Sequence, residues 1–214
     1  MSGRRLNRRD VAAAETRREI LRAARRLFAE HGYVGTSLQQ IAEESGVAVQ
    51  TIYSSVGSKA ALVLALNDLI DEEAGVAQLG AEVSRETDPP KMIAKTIHLT
   101  RQLNERCGDL IRALLSAEPS EPDVAAALAD GMRRHQQGAS QIAQWLADMG
   151  ALAADTTPER AGVAFSMMTS AASWRQLTLG AGWSFDQAEA WLAESLTQLL
   201  LGRSRQPTGS DVGD

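Results

Sequence analysis

Cysteine and histidine are nearly missing from this chain. Its 214 residues hold one cysteine, Cys107, and three scattered histidines, His31, His98 and His135. A lone thiol excludes an intramolecular disulfide and suits a reducing compartment. With so few imidazoles and thiolates, no metal-ligand spacing and no nucleophile–base pair can be read, and there is no Gly-rich phosphate loop or nucleophile elbow. No enzyme, cofactor or metal site is expected. Aromatics make up 4% of residues, β-branched runs are scarce, and strand alternation and internal repeats are missing. Together with frequent alanine, this favours an all-α fold. No apolar run approaches the roughly 18 residues of a membrane span, and there is no N-terminal apolar h-region, so a cytoplasmic protein without a membrane partner is expected. The length suits one to two domains.

Acidic charge is also scarce at one end. The net charge is −5, but residues 1–59 carry ten Lys/Arg against six acids, a net +4. The remaining residues hold twelve bases against 21 acids, a net −9. A basic end on an acidic body is what a polyanion-binding head needs, because Lys and Arg release counterions from phosphates. A merely solvated asymmetry is the competing reading.

Residues 1–14 lack apolar periodicity and read as a flexible basic arm, either contacting DNA backbone or minor groove, or only solubilising the chain. From Thr16, Ile20, Ala24, Leu27 and Phe28 share one helical face, ended by Gly32. Thr36 with Gln39 reads as a capping box opening a second helix, with Leu38, Ile41 and Ala42 inward. A third short helix follows Ser45-Gly46, and a fourth starts after Gly57 with Ser58 as N-cap and Leu62, Leu66, Leu69 and Ile70 as its stripe. Beyond it the spacing predicts helices only. One runs from Asp88-Pro89-Pro90 to Cys107-Gly108 and a short one spans 109–117. Others cover about 122–149, from Pro158 onward, and about 184–201. The tail, residues 204–214, reads as disordered.

Residues 45–59, SGVAVQTIYSSVGSK, contain no His, Cys, Asp or Glu, so they have no general base and no metal ligand. Two short helices joined by about three residues with a Gly in the turn outline a helix-turn-helix. The second is too short and too β-branched (Val49, Thr51, Ile52) to persist alone, so packing by Val47, Val49 and Ile52 must hold it. Its outer residues are then free for another task. Lys59 stands in the first turn of the next helix, where a cation opposes the dipole by about 0.3–1 kcal/mol. An anion at that helix start would account for it, and an incidental surface lysine is the alternative.

Residues 17–66, RREILRAARRLFAEHGYVGTSLQQIAEESGVAVQTIYSSVGSKAALVLAL, resemble the DNA-binding domain of the tetracycline-repressor (TetR) family. The shared elements are the IL–AA–LF face, the HGY turn, the TS–IA–GV helix start, and TIY followed by SK–AL. The resemblance implies a three-helix helix-turn-helix domain at 15–60, with the recognition motif at about 37–56. A helical effector-binding and dimerisation domain would follow at 61–203, making about nine helices in all. It implies that Gln50, Thr51, Tyr53 and Ser54 enter the major groove. Gln50 is the base reader, suited to adenine, and Tyr53 anchors the backbone. Thr36 or Ser37, with Lys59, would grip phosphates. Ala48 replaces a frequent capping Ser, Gln50 a frequent Gly, and Ser55 and Val56 replace larger residues, which leaves the operator sequence open.

Residues 161–174 carry no charge over nearly four turns and read as a helix buried on all sides, one of them against a partner subunit. A twofold dimer is expected through Ala161, Ala164, Met168, Ala172, Phe185, Ala188, Leu192, Leu196 and Leu199. Two heads about 34–36 Å apart would read successive major-groove turns of operator DNA. Candidate effector-pocket residues are Ile97, His98, Arg101, Cys107, Trp145, Met149, Met167, Met168 and Trp174, each of which equally reads as core or surface. Met and Trp suggest a flexible, largely apolar pocket for a small molecule. The expected protein is thus a ligand-responsive transcriptional regulator, a repressor released by an apolar effector. The alternative is a helical DNA-architectural or protein-binding module without ligand switching.

Overall fold

The computed structural model describes residues 8–201, and among them all regular structure is helical. The helices are α1 (Arg8–His31), α2 (Leu38–Ser45), α3 (Val49–Ser55), α4 (Lys59–Glu73), α5 (Val76–Ser84), α6 (Pro89–Ala117), α7 (Pro122–Asp148), α8 (Pro158–Met168), α9 (Ala171–Arg175) and α10 (Phe185–Leu201). A π-helical turn, Gln176–Gly180, continues α9. The expected all-α fold is the one observed. The tail and residues 1–7 of the arm lie outside the described residues.

The chain forms two compact units, Met1–Ala77 with Gln102–Arg134, and Gln78–Arg101 with His135–Asp214. The expected 60/61 boundary falls in the first turn of α4.

In the first unit, Ile20, Ala24 and Phe28 of α1, Ile41 of α2, Ile52 of α3 and Leu62 and Leu66 of α4 are all fully buried in one core. Burying each large side chain stabilises the unit by about 1.5–3 kcal/mol. Helix α1 begins at Arg8, earlier than expected at Thr16. Its opening turns bury nothing, but Ala12, Ala13 and Ala14 have the highest helix propensity and Asp10 complements the helix dipole. Gly32 ends α1 at φ +74°.

Helices α4 and α7 are tied by polar groups within this unit. Arg134 reaches Asp68 (2.9 Å) and Asp71 (3.0 Å) on α4 and Asp130 (2.8 Å) one turn back on α7. Asn67 Nδ2 donates to the Ala127 carbonyl at 3.0 Å and to Asp130 at 3.2 Å. The hydrogen bond to Asp68 leads in holding the guanidinium above its ordinary pKa.

The second unit buries Ile93, Ile97, Ala143, Leu146, Ala161, Phe165, Trp174, Ala188, Leu192 and Leu196. Two expected helix boundaries fail, one in each unit. Gly108 does not end a helix, because α6 runs through it to Ala117, and Leu110 and Leu114 continue its buried stripe. Residues 161–174 are not one helix. Thr169 Oγ1 donates to Phe165 O at 2.8 Å where α8 ends, and Ser170 Oγ accepts from Ser173 N to cap α9. Gly162 faces α7 so closely that an added Cβ would meet Ser140 Cα at 3.3 Å.

Candidate nucleic-acid interface

Helix α2 opens at Ser37, whose side chain accepts from Gln40 N while Ser37 N donates to Gln40 Oε1 at 2.8 Å. The capping box is therefore Ser37–Gln40, and the expected Thr36–Gln39 pair is corrected by one residue. Thr36 is 2% exposed, and its Oγ1 donates to the carbonyls of Leu27 (3.1 Å) and Gly32 (2.9 Å), acceptors at the end of α1. Its hydroxyl therefore points into the fold, whereas Ser37 is exposed.

Gly46 adopts φ +69° and sends its N–H back to Ala42 and Glu43, and Val47 N follows to Ala42 O at 3.0 Å. Only a residue tolerant of the left-handed region turns the chain this sharply. Ala48 then stands at the N-cap of α3 with no side-chain cap bond. Ile52 is fully buried and Val47 and Val49 pack partly against the core, which turns the opposite side of α3 to solvent. Gln50 and Ser54 are exposed, Tyr53 is 51% exposed, and Thr51 is half-buried. Ser54 Oγ donates to Thr51 O at 3.1 Å.

Ser58 caps α4 by accepting from Ala61 N at 3.2 Å. Lys59 follows, half-buried, with Nζ 4.0 Å from the Tyr33 ring centre and 6.0 Å from that of Phe28. The rings supply negative faces that offset the unfavourable helix position. Burial lowers the Lys59 pKa, and the nearby Glu121 carboxylate opposes that shift. Burial, then Glu121 and Asp123, raises the Tyr33 phenol. Sequence reasoning singles out neither Tyr33 nor Arg17, whose Nη1 donates to Ser55 O at 2.9 Å. The HGY turn includes Tyr33 only as an element of the family resemblance, and nothing in the local pattern marks Arg17.

The basic excess of the head is partly spent internally. Arg26 pairs with Glu44 at 2.6 Å, Arg18 with Glu72 at 2.9 Å, and Arg25 with Glu73 at 3.0 Å. Formal charge therefore overstates what this surface offers a polyanion.

The pocket candidates separate. Ile97, Trp145, Met168 and Trp174 belong to the core of the second unit, where Trp174 Nε1 donates to Thr100 Oγ1 at 3.2 Å. His98 Nδ1 lies 2.9 Å from Glu189, and Arg101 Nη1 bridges Asp186 (2.6 Å) and Glu189 (2.5 Å). Met149 and Met167 are exposed, and Cys107 is buried in the core of the first unit, where burial pushes its thiol pKa up.

Of the dimer candidates, Ala161, Ala188, Leu192 and Leu196 are buried in their own unit's core because they supply the inner stripes of α8 and α10. Ala164, Met168 and Phe185 are half-buried, while Ala172 and Leu199 are exposed. The larger exposed apolar residues of these helices are Val163 (60%), Met167 (67%), Trp191 (44%) and Leu199 (53%). Among the described residues, no group of three or more His, Cys, Asp or Glu could hold a metal, and no single helix is long and apolar enough to cross a membrane.

Residues 20–66 match the model of bacterial regulatory proteins of the tetR family. The regulator TtgR of Pseudomonas putida is 40% identical over 77 residues, 36% of this chain and 37% of that protein. The transcriptional repressor AcnR of Corynebacterium efficiens is 45% identical over 51 residues, 24% of this chain and 27% of that protein. The chain thus matches between about a quarter and a little over a third of these relatives' length. Over the whole fold it resembles the crystal structure of the regulator FadR from Bacillus subtilis in complex with stearoyl-CoA. That similarity has a TM-score of 0.69 at 17% identity and covers 85% of this chain and 98% of that one. Residues 20–66, with the helix-turn-helix at α2–α3, thus match the bacterial regulatory proteins of the tetR family.

Proposed function

We propose that this protein is a cytoplasmic, homodimeric transcriptional regulator that binds operator DNA and is released from it by a small, largely apolar effector. The observation that carries the DNA reading is α3 itself. Its inner residue Ile52 is fully buried while Gln50, Tyr53 and Ser54 are exposed beside it. A polar row of this kind on a helix too short to stand alone has no structural duty. Gln50 offers an amide to a base edge, Thr51 a methyl or hydroxyl, and Tyr53 and Ser54 reach the backbone. Ser37, rather than buried Thr36, and Lys59 supply phosphate contacts.

The dimer reading rests on α8 and α10, the two helices expected to pair, which leave the large apolar side chains of Val163, Met167, Trp191 and Leu199 in water. The effector reading rests on the family and on the Met and Trp side chains of the second unit. An effector acts by binding one of two states more tightly and thereby shifting the population away from the DNA-competent one. The repressor name of AcnR favours repression here.

Footprinting the purified protein on DNA upstream of its own gene, with and without apolar ligands, is the test. A protected, salt-sensitive site that is lost on adding ligand supports the proposal in full. Binding that is indifferent to sequence points instead to an architectural module.

A further inference from the structure

The recognition helix is held from behind by a residue outside the helix-turn-helix. Arg17, half-buried on α1, donates from Nη1 to the carbonyl oxygen of Ser55, the last residue of α3. That carbonyl is one of the last-turn acceptors that a helix cannot satisfy by itself. A guanidinium placed there also meets the negative end of the helix dipole.

Three further observations give the contact weight. Helix α3 has seven residues, of which Val49, Thr51 and Ile52 are β-branched, so it cannot persist alone. Its N-terminus has no side-chain cap, because Ala48 has no acceptor to offer, whereas its neighbours α2 and α4 are capped by Ser37 and Ser58. Past its end, Val56 N and Gly57 N both turn back to Ile52 O, at 2.8 and 3.1 Å, which leaves the Ser55 carbonyl for a partner from elsewhere in the fold. Arg17 is that partner.

We infer that Arg17 is a positioning residue for operator recognition. It fixes the C-terminal end of α3 to α1 and so sets the angle at which Gln50, Thr51, Tyr53 and Ser54 are presented, without itself gripping a phosphate. This inference rests on the DNA-binding reading above.

The test uses the full chain carrying Arg17→Ala or Arg17→Met, the latter keeping the aliphatic stem if the former fails to fold. In the free protein, hydrogen exchange of the α3 amides is expected to quicken roughly tenfold, the scale of a charged hydrogen bond, while α1 and α2 stay protected. On DNA, discrimination between the operator and base-substituted duplexes falls roughly tenfold, while the dependence of affinity on salt keeps its slope. Adding Ala48→Ser supplies the missing N-cap and restores both protection and discrimination in part. Unchanged exchange in α3 overturns the inference. So does a loss of affinity equal for all duplexes with a salt slope shallower by about one phosphate, since that marks Arg17 as a backbone contact. If the unaltered protein binds no duplex, the functional reading fails, and the exchange measurement still decides whether Arg17 holds α3.

Discussion

The Lys59 ammonium lies 4.0 Å from the centre of the Tyr33 ring, in the first turn of α4. A lone cation there would oppose the helix dipole, and the ring face relieves that conflict while keeping the charge at the head's surface. Lys59→Ala should weaken binding to all duplexes about equally and make the salt slope shallower by about one phosphate. Tyr33→Leu keeps the charge but removes its support, so a smaller loss of roughly two- to fivefold is expected. Fluorescence anisotropy over a salt series measures both.

Gln50 is the exposed amide of α3, and its truncation should alter base preference rather than general affinity. Gln50→Ala is expected to remove about 1–3 kcal/mol of discrimination at one or two base pairs. Identical preferences across a library of operator variants, before and after the change, would remove Gln50 as a reader.

Thr36 and Ser37 are adjacent hydroxyl residues with opposite duties. Thr36→Val leaves the carbonyls of Leu27 and Gly32 without their donor and should destabilise the fold by about 1–3 kcal/mol. Ser37→Ala removes a cap worth about 1 kcal/mol and should also weaken DNA binding. Urea midpoints at unchanged m separate the two effects on stability.

This pair also shows where sequence reading stops. Thr36 and Ser37 each precede a Gln by three residues, and the sequence reading takes only the first as a capping box. Only burial of Thr36 against the end of α1 decides between them. Local signals served well wherever they were unique, as at Gly32, Gly46, Ser58 and Pro158, each of which ends or opens the helix expected of it. They misled where a residue type has two uses. Gly108 reads as a stop but lies within α6, whose buried stripe outweighs a local propensity loss of about 1 kcal/mol. Thr169 and Ser170 read as tolerable interior residues but close α8 and cap α9. The Lys59–Tyr33 and Arg17–Ser55 contacts join residues distant in sequence, so no window could reveal them.

Acid should expose a different contact. Hydrogen bonds from Lys95 Nζ at 2.6 Å and from the backbone of Asp88 and Thr87 draw the Glu86 carboxyl down to about 2. The folded value lies below the unfolded one, so the stabilisation is fully present above pH about 4.5 and is lost as pH falls towards 2. Glu86→Gln should flatten the dependence of stability on pH within that window, and unfolding midpoints measured between pH 2 and pH 6 test it.

Met167 is 67% exposed on α8. If this side meets a second copy, Met167→Glu should shift the assembly to monomer at micromolar concentration in equilibrium sedimentation, with helix content unchanged. A dimer that survives both Met167→Glu and Trp191→Glu would place the association elsewhere.

Gly162 has the last word on that surface although it lies on the inner side of α8. With Ser140 Cα only 3.3 Å from where its side chain would begin, α8 is keyed to α7 like a notched shaft. Rolling α8 about its own axis would press Ala161 or Val163 against the Ser140 backbone, which would have to give way. The aim of Val163 and Met167 is therefore decided at a buried position between them and α7. The outer residues can thus be exchanged without disturbing this contact, whereas a side chain at Gly162 would push α8 off α7 and re-aim them all.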